Sequence, residues 1–195
     1  MESKNYVLRP LLAIIFFLTA MSINGQGLLN IYTGVSARHS ADLNVTPENT
    51  GHYGHFVGLD IRLSGGMYFM GGGRIYRTSL LAETEKSFKS NEEHWYVGSM
   101  RGGLGFNLFR PTYRSVIRAR VLGSFQFSMN FPENTLQLEG YETVNGTFAG
   151  VIGGIGADFS FITIDLEFQK GLVNAYFQQP DSTFDIWSLS LGFAF

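Results

Sequence analysis

The chain has 195 residues, a length that fits one domain. Charged residues make up 15% of it, aromatic residues another 15%, and glycine contributes 24 residues, which excludes a disordered chain and is unlike an ordinary soluble helical domain. The formal net charge of −2 offers no basic surface, so we expect no nucleic-acid partner. The sequence has no cysteine, which excludes disulfides, cysteine nucleophiles and cysteine-bound zinc.

The first 25 residues have the order of features found in a secretory signal peptide. Lys4 and Arg9 precede an apolar run over residues 11–21, and small polar residues follow near Gly25. The run is too short to cross a bilayer as a helix. We therefore expect residues 1–25 to be a cleaved signal peptide and residues 26–195 to form one mature domain outside the cytoplasm.

Apolar and polar residues alternate through the rest of the chain. The pattern is clearest in residues 162–169 (ITIDLEFQ), where every second residue is apolar. A period of two places successive side chains on opposite faces of a β-strand. We predict eight strands, at residues 28–38, 55–63, 67–78, 94–108, 114–128, 147–159, 162–176 and 184–195.

The segments that join these strands alternate in length. Short turns follow strands two, four and six, at residues 64–66, 110–113 and 160–161. Long polar connections follow strands one, three, five and seven, at residues 39–54, 79–93, 129–146 and 177–183. This layout is typical of a transmembrane barrel. The predicted fold is all-β, an eight-stranded antiparallel up-and-down transmembrane β-barrel with short periplasmic turns and longer extracellular loops.

The residue types on the polar face indicate which face points into the barrel. A water-facing wall is expected to be rich in Lys and Glu, whereas this face holds mainly Gly, Ser, Thr, Gln, Arg and Asp. We therefore assign the polar face to the lumen and the apolar face to lipid. A soluble lipocalin-like barrel that binds a ligand in an apolar interior is the reverse arrangement and is the alternative.

The charged residues assigned to the lumen are nearly balanced, five positive and four negative, as a buried set of charges requires. They are Asp60, Arg62, Arg74, Arg101, Arg118, Arg120, Asp158, Asp165 and Glu167. We expect them to form a network of ion pairs that fills the lumen, with glycine leaving room for the long side chains. Because eight strands enclose a space just wide enough for side chains, we expect no diffusion pore.

Aromatic residues concentrate toward the predicted strand ends. They are Tyr68, Tyr76, Trp95, Tyr96, Phe106, Tyr176, Phe184 and Trp187. In membrane barrels such residues form girdles at the two interfaces between lipid and water. We expect these eight residues to form such girdles.

No motif in the sequence carries a specific chemistry. His39 and Ser40 are adjacent, but neighbouring strand residues point to opposite faces, which disfavours a catalytic pair. His52, His55 and His94 lack metal-ligand spacing, and the glycine clusters at 71–73, 102–105 and 153–156 lack a P-loop Lys-Ser/Thr. We expect no catalytic activity, cofactor or metal. A lipid-modifying barrel enzyme with His39 or His94 as base is the alternative.

The last strand reads FDIWSLSLGFAF, and its outward face would carry Trp187, Leu189, Leu191, Phe193 and Phe195. With the signal peptide and eight alternating strands, the chain resembles the small OmpA/OmpX-like outer-membrane β-barrels of Gram-negative bacteria, and among them the PorT-like barrels. The resemblance implies a place in the bacterial outer membrane, in contact with its lipid. It also implies that the barrel-assembly machinery reads those five residues as an assembly signal.

The same resemblance bears on function. Some PorT-like barrels serve a protein secretion system, which implies a secretion-system or surface partner at the extracellular loops. On this resemblance the chain is a non-enzymatic outer-membrane protein with a structural, adhesive or secretion-associated role.

Overall fold

The computed structural model describes residues 27–40, 51–63, 66–78, 95–112, 114–129, 145–174 and 183–195. They form one closed antiparallel barrel in which each strand pairs with the next in sequence and the last pairs with the first. The strands are β1 (Gly27–Ser40), β2 (Gly51–Leu63), β3 (Met67–Thr78), β4 (Trp95–Thr112), β5 (Ser115–Ser128), β6 (Thr147–Phe159), β7 (Ile162–Gly171) and β8 (Phe184–Ala194). The predicted all-β, eight-stranded, up-and-down architecture is confirmed. Within the described ranges, no helix is long and apolar enough to cross a membrane.

The connections alternate in length as predicted. Two to three residues join β2 to β3, β4 to β5 and β6 to β7. The other connections are long and comprise residues 41–50, 79–94, 129–146 and 172–183. The start of β1 and the end of β8 lie at the end of the barrel that carries the short turns. There Leu29 and Phe195 exchange both backbone hydrogen bonds, at 3.0 and 2.8 Å. We refer to the two ends of the barrel as the short-turn end and the long-loop end.

Two strand boundaries differ from the prediction. β4 continues to Thr112, through most of the predicted turn, because register shifts at Asn107 and Phe109 accommodate extra residues. Such bulges are common at barrel rims. β7 ends at Gly171, five residues before the predicted end, and the Gly171 amide donates to the Asp185 side chain of β8 at 3.3 Å. Predicted strand residues 175–176 lie outside the described ranges.

Alternation along each strand separates an outer wall from an interior. In β7, Asp165 is 2% exposed whereas its neighbour Leu166 is 41% exposed. The same alternation holds in β8, where Trp187, Leu189 and Leu191 point outward and the serines between them are buried. The barrel therefore has an apolar outer wall and a largely polar interior, the reverse of a soluble barrel.

The interior also contains an apolar part that the sequence interpretation did not include. Tyr68, Met70, Leu122 and Ile152 form a buried cluster. Toward the long-loop end, the rings of Phe148 and Phe184 pack 5.4 Å apart.

The predicted aromatic girdle is therefore partly wrong. Tyr68, Tyr76 and Phe184 are each 4% exposed and lie inside the barrel, whereas Tyr96, Phe106 and Trp187 lie on the outer wall. The reason is strand parity, since Tyr68 and Tyr76 are an even number of residues from the inward Arg74. The side chain of Trp95 and the whole of Tyr176 lie outside the described part of the chain.

Candidate functional site

The nine charged residues assigned to the lumen all project into the barrel interior. Eight are at most 5% exposed, and the side chain of Asp158 is 18% exposed. β2 supplies Asp60 and Arg62, β3 supplies Arg74, β4 supplies Arg101, β5 supplies Arg118 and Arg120, β6 supplies Asp158, and β7 supplies Asp165 and Glu167. Residues from the same strand are two positions apart, so strand geometry alone places them on one face.

Glu167 is the centre of this network. Its Oε1 lies 2.7 Å from Nε of Arg120, and both of its oxygens accept hydrogen bonds from Arg101 Nη1 at 2.9 Å. Arg74 Nη2 donates to Oε2. One carboxylate thus contacts three guanidinium groups: Arg74 and Arg101 through charge-assisted hydrogen bonds, the strong class, and Arg120 through an ion pair.

Asp60 and Tyr32 extend the network on one side. Arg101 contacts Asp60 in a bidentate manner, with Nε 3.0 Å from Oδ1 and Nη2 donating to Oδ2. The Tyr32 hydroxyl donates to Asp60 at 3.2 Å and accepts from Arg74 Nε at 2.9 Å. The guanidinium carbons of Arg74 and Arg101 lie 5.0 and 5.1 Å from the Tyr32 ring centre, where the ring face attracts a cation.

Two aspartates extend it on the other side. Asp165 lies between Arg118 and Arg120 and contacts both. Nη2 of Arg120 is 3.0 Å from Asp165 Oδ2. Asp158 contacts Arg118 and accepts a 2.9 Å hydrogen bond from Arg62. All nine residues are therefore connected through shared ion pairs, from Asp60 through Glu167 to Arg62. The network links six consecutive strands, β2 to β7.

Glycine provides the space that these side chains occupy. A Cβ on Gly154 would lie 2.8 Å from Glu167 Cγ, and one on Gly156 would overlap Asp165. A Cβ on Gly72 would overlap Asp60 in the same way. The inward glycines of the clusters at 71–73 and 153–156 therefore let charged side chains of neighbouring strands lie close to the backbone.

Sequence reasoning missed several inward polar residues. They are Asn30, Tyr32 and Arg38 of β1. Thr163, Gln126 and Gln169 lie on the polar face of the predicted alternation and are buried as that assignment implies, and Gln126 donates a 3.1 Å hydrogen bond to Gln169. Arg38 is buried at the long-loop end, 4.5 Å above the Phe184 ring. Strand parity contained the necessary signal, because outward Ile31 and Val35 place Tyr32 and Arg38 on the inner face.

Most of the histidines considered for catalysis or metal binding lie outside the described residues. The side chains of His39, Ser40 and His52, and all of His94, lie outside the described part. His55 is exposed on the outer wall. Among the residues whose structure is described, no group of three or more His, Cys, Asp and Glu could hold a metal ion.

The aromatic-ended strand β8 lies on the outer wall. Its residues Trp187, Leu189, Leu191 and Phe193 are about half exposed, and Phe195 is 68% exposed. Trp187 packs against Phe168 with ring centres 4.8 Å apart, and Phe193 stacks on Phe161.

No family model matches the sequence, and no curated protein matches it. Similar folds occur among solved structures. Neisserial surface protein A (NspA) is 10% identical over 86% of this chain and 95% of that chain, with a TM-score of 0.58. Ail, the attachment invasion locus protein of Yersinia pestis, is 12% identical over 87% and 99% with a TM-score of 0.49. Outer membrane protein OprG from Pseudomonas aeruginosa is 8% identical over 87% and 96% with a TM-score of 0.47. The likeness to NspA concerns the fold, and the chain has the fold of a small eight-stranded outer-membrane β-barrel.

Proposed function

We propose that this chain is a non-enzymatic outer-membrane β-barrel with a structural, adhesive or secretion-associated role. Its side-chain-filled interior holds the wall rigid, and the wall holds four long connections at the outer face of the membrane. The observation that carries the proposal is the distribution of polar and apolar residues: nine ion-paired charged residues lie inside the barrel, and its outer wall is apolar. That arrangement suits a bilayer and is unfavourable in water, where so many exposed apolar side chains promote association.

The position of outer-wall charges supports this proposal. Among the described residues, the exposed or half-exposed charged side chains on the wall all lie within two residues of a strand end. They are Arg77, Arg110, Arg114, Lys170 and Asp185. The outer wall between them is free of charge, as expected for a hydrocarbon-facing band.

The location is tested by fractionating cells of a Gram-negative host that express the full chain. We expect the protein in the outer-membrane fraction, released by detergent and not by salt, because its wall is apolar. Recovery of the folded protein in the soluble periplasmic fraction would overturn the proposal and favour the lipocalin-like alternative.

The proposal includes an assembly signal in the last strand. Phe195 is 68% exposed while its backbone pairs with Leu29, so its ring contributes little to the folded barrel. We expect Phe195→Ala to reduce the amount of protein assembled in the outer membrane severalfold. The same variant should refold in detergent as well as the parent. Equal assembly of both proteins in cells would contradict a role for Phe195 as a signal.

A PorT-like role in protein secretion is the finer part of the proposal. The strand ends that carry the long connections lie at the opposite end of the barrel from the short turns, and on this proposal the connections are accessible at the cell surface. Photo-crosslinking from residues in these connections, in a host that has such a secretion system, should capture a secretion component. Crosslinks to the barrel-assembly machinery alone would leave the structural role and contradict the secretion role.

A further inference from the structure

An apolar groove of about 750 Å³ crosses the outer wall of the barrel. One of its edges follows a single row of outward residues, each the register partner of the next. The row consists of Leu191, Thr33, Val57, Ile75, Gly98 and Phe127, from β8 through β1 to β5. Six strands spaced about 4.8 Å apart make the groove roughly 24 Å long. One leaflet of hydrocarbon is about 15 Å thick, so the groove can hold a whole acyl chain.

Two basic side chains lie along the long-loop edge of this groove. His55 precedes Val57 by two residues on the same outward face, and Arg77 follows Ile75 by two. His55 and Arg77 are register partners, so they lie side by side on β2 and β3. Arg77 is half-buried, and its Nε has no hydrogen-bond partner among the described residues.

No described carboxylate on the wall is near this pair. Asp185 lies on β8, two strands from His55 and three from Arg77, and pairs with Lys170 at 2.7 Å. Among the described residues, the long-loop edge of the groove therefore carries the positive charge of Arg77, whereas the groove itself is apolar. An amphiphile with an anionic head and an acyl tail complements both parts.

We propose that this groove binds an acidic lipid of the outer leaflet, with an acyl chain along the groove and a phosphate headgroup at Arg77 and His55. The inference rests on the proposed function, because it requires a bilayer and a long-loop end that faces outward. Transfer of the chain from surrounding lipid gains little hydrophobic free energy, so selectivity comes from the charge-assisted contacts of the headgroup. The path across six strands suits a flexible chain better than a second barrel, which would touch only a narrow strip of wall.

Native mass spectrometry of the full-length protein in neutral detergent tests the inference. The probe is diphosphorylated lipid A, and phosphatidylcholine is the zwitterionic comparison. We expect one lipid A to bind in preference to phosphatidylcholine, and Arg77→Ala to weaken its binding about tenfold. Gly73→Leu, which places a side chain in the groove, should weaken it as well.

Matched variants control for general effects on the barrel. Lys170→Ala removes a wall cation at the same end but outside the groove. Gly153→Leu adds a side chain at an outward glycine that does not line the groove, and no atom lies within 4 Å of the position that its Cβ would take. Both should bind lipid A as the parent does.

The outcomes separate this inference from the proposed function. Equal binding of the two lipids, or unchanged binding by both Arg77→Ala and Gly73→Leu, would overturn the groove assignment while outer-membrane fractionation still supports the barrel. A lipid-free dimer that Gly73→Leu disrupts would assign the groove to a second copy and would also overturn it. Failure of the parent to enter the outer membrane would overturn the proposed function itself.

Discussion

Glu167 shares its carboxylate among Arg74, Arg101 and Arg120 in a space that the barrel shields from solvent. A buried guanidinium that loses its partner stays desolvated without compensation, so breaking a buried pair is far more costly than breaking an exposed one. Single polar residues of this interior should therefore affect stability as strongly as core apolar residues do in soluble proteins.

Glu167→Gln should lower the free energy of unfolding by about 3–5 kcal/mol, because it keeps the shape of the side chain and removes the negative charge that Arg74, Arg101 and Arg120 share. Denaturant titration of the barrel in lipid vesicles measures this loss. Asp185→Asn is the control, since Asp185 pairs with the half-exposed Lys170. Its cost should stay below about 1 kcal/mol. Equal costs for the two variants would contradict a charge-dependent interior.

The adjacent glycines Gly153 and Gly154 test which face of β6 points into the barrel. Gly154→Ala should cost about 1–3 kcal/mol, because its Cβ would lie 2.8 Å from Glu167 Cγ and 3.3 Å from Arg120 Nε. Gly153 faces outward with no atom within 4 Å of the added Cβ. Gly153→Ala should therefore be nearly neutral in the same unfolding assay. A larger loss for Gly153→Ala would reverse the assignment of faces in β6.

At the scale of the strand, β7 shows how alternation divides one element between two environments. Thr163, Asp165 and Glu167 are at most 2% exposed, whereas Ile164 and Leu166 between them are about 40% exposed. Alternate residues of one strand thus contribute to the ion-paired interior and to the apolar outer wall. A shift of one residue in register would exchange them completely.

Leu166→Arg should impair membrane insertion of the barrel by about 2–4 kcal/mol, because Leu166 is near the middle of β7 on the apolar wall. Leu172→Arg makes the same change just beyond the end of β7 and should cost no more than about 1 kcal/mol. Folding into vesicles of defined composition, followed by denaturant titration, gives both values. A Leu166→Arg barrel as stable as Leu172→Arg would mean that this wall does not face hydrocarbon.

At the scale of the whole molecule, the interior is a support rather than a passage. Ion pairs bridge β2 to β7, an apolar cluster fills the side at Leu122 and Ile152, and buried rings occupy the long-loop end. We therefore expect the cross-section of the barrel to be rigid.

A filled interior predicts that the protein does not conduct ions. In planar bilayers that contain the purified barrel, we expect no stable single-channel current steps above the baseline of the protein-free membrane, because eight strands leave room only for side chains. Reproducible current steps of constant size would show a continuous aqueous path and contradict the filled lumen.

Several features of the fold could be predicted from particular residues. The alternation around Asp165, the turn at Ser160 and Phe161, and the long polar stretch at 79–93 depend only on local sequence. The inward aromatic residues were assigned wrongly because Tyr68 and Phe184 lie near strand ends, where a membrane girdle is expected. Parity within their own strands, relative to inward Arg74 and outward Trp187, places both inside the barrel.

Sequence alternation is enough to predict the number of strands, the alternating connection lengths and the inner face for the nine charges of the network, because a period of two is a local property of the extended backbone. The pairing of those charges depends on the tertiary structure. Arg62 and Asp158 are 96 residues apart in sequence, and their contact depends on barrel closure and on the stagger between strands. The groove beside Arg77 likewise exists only because outward residues of six strands share one register. Long-range register is a property of the closed sheet, and no single strand encodes it.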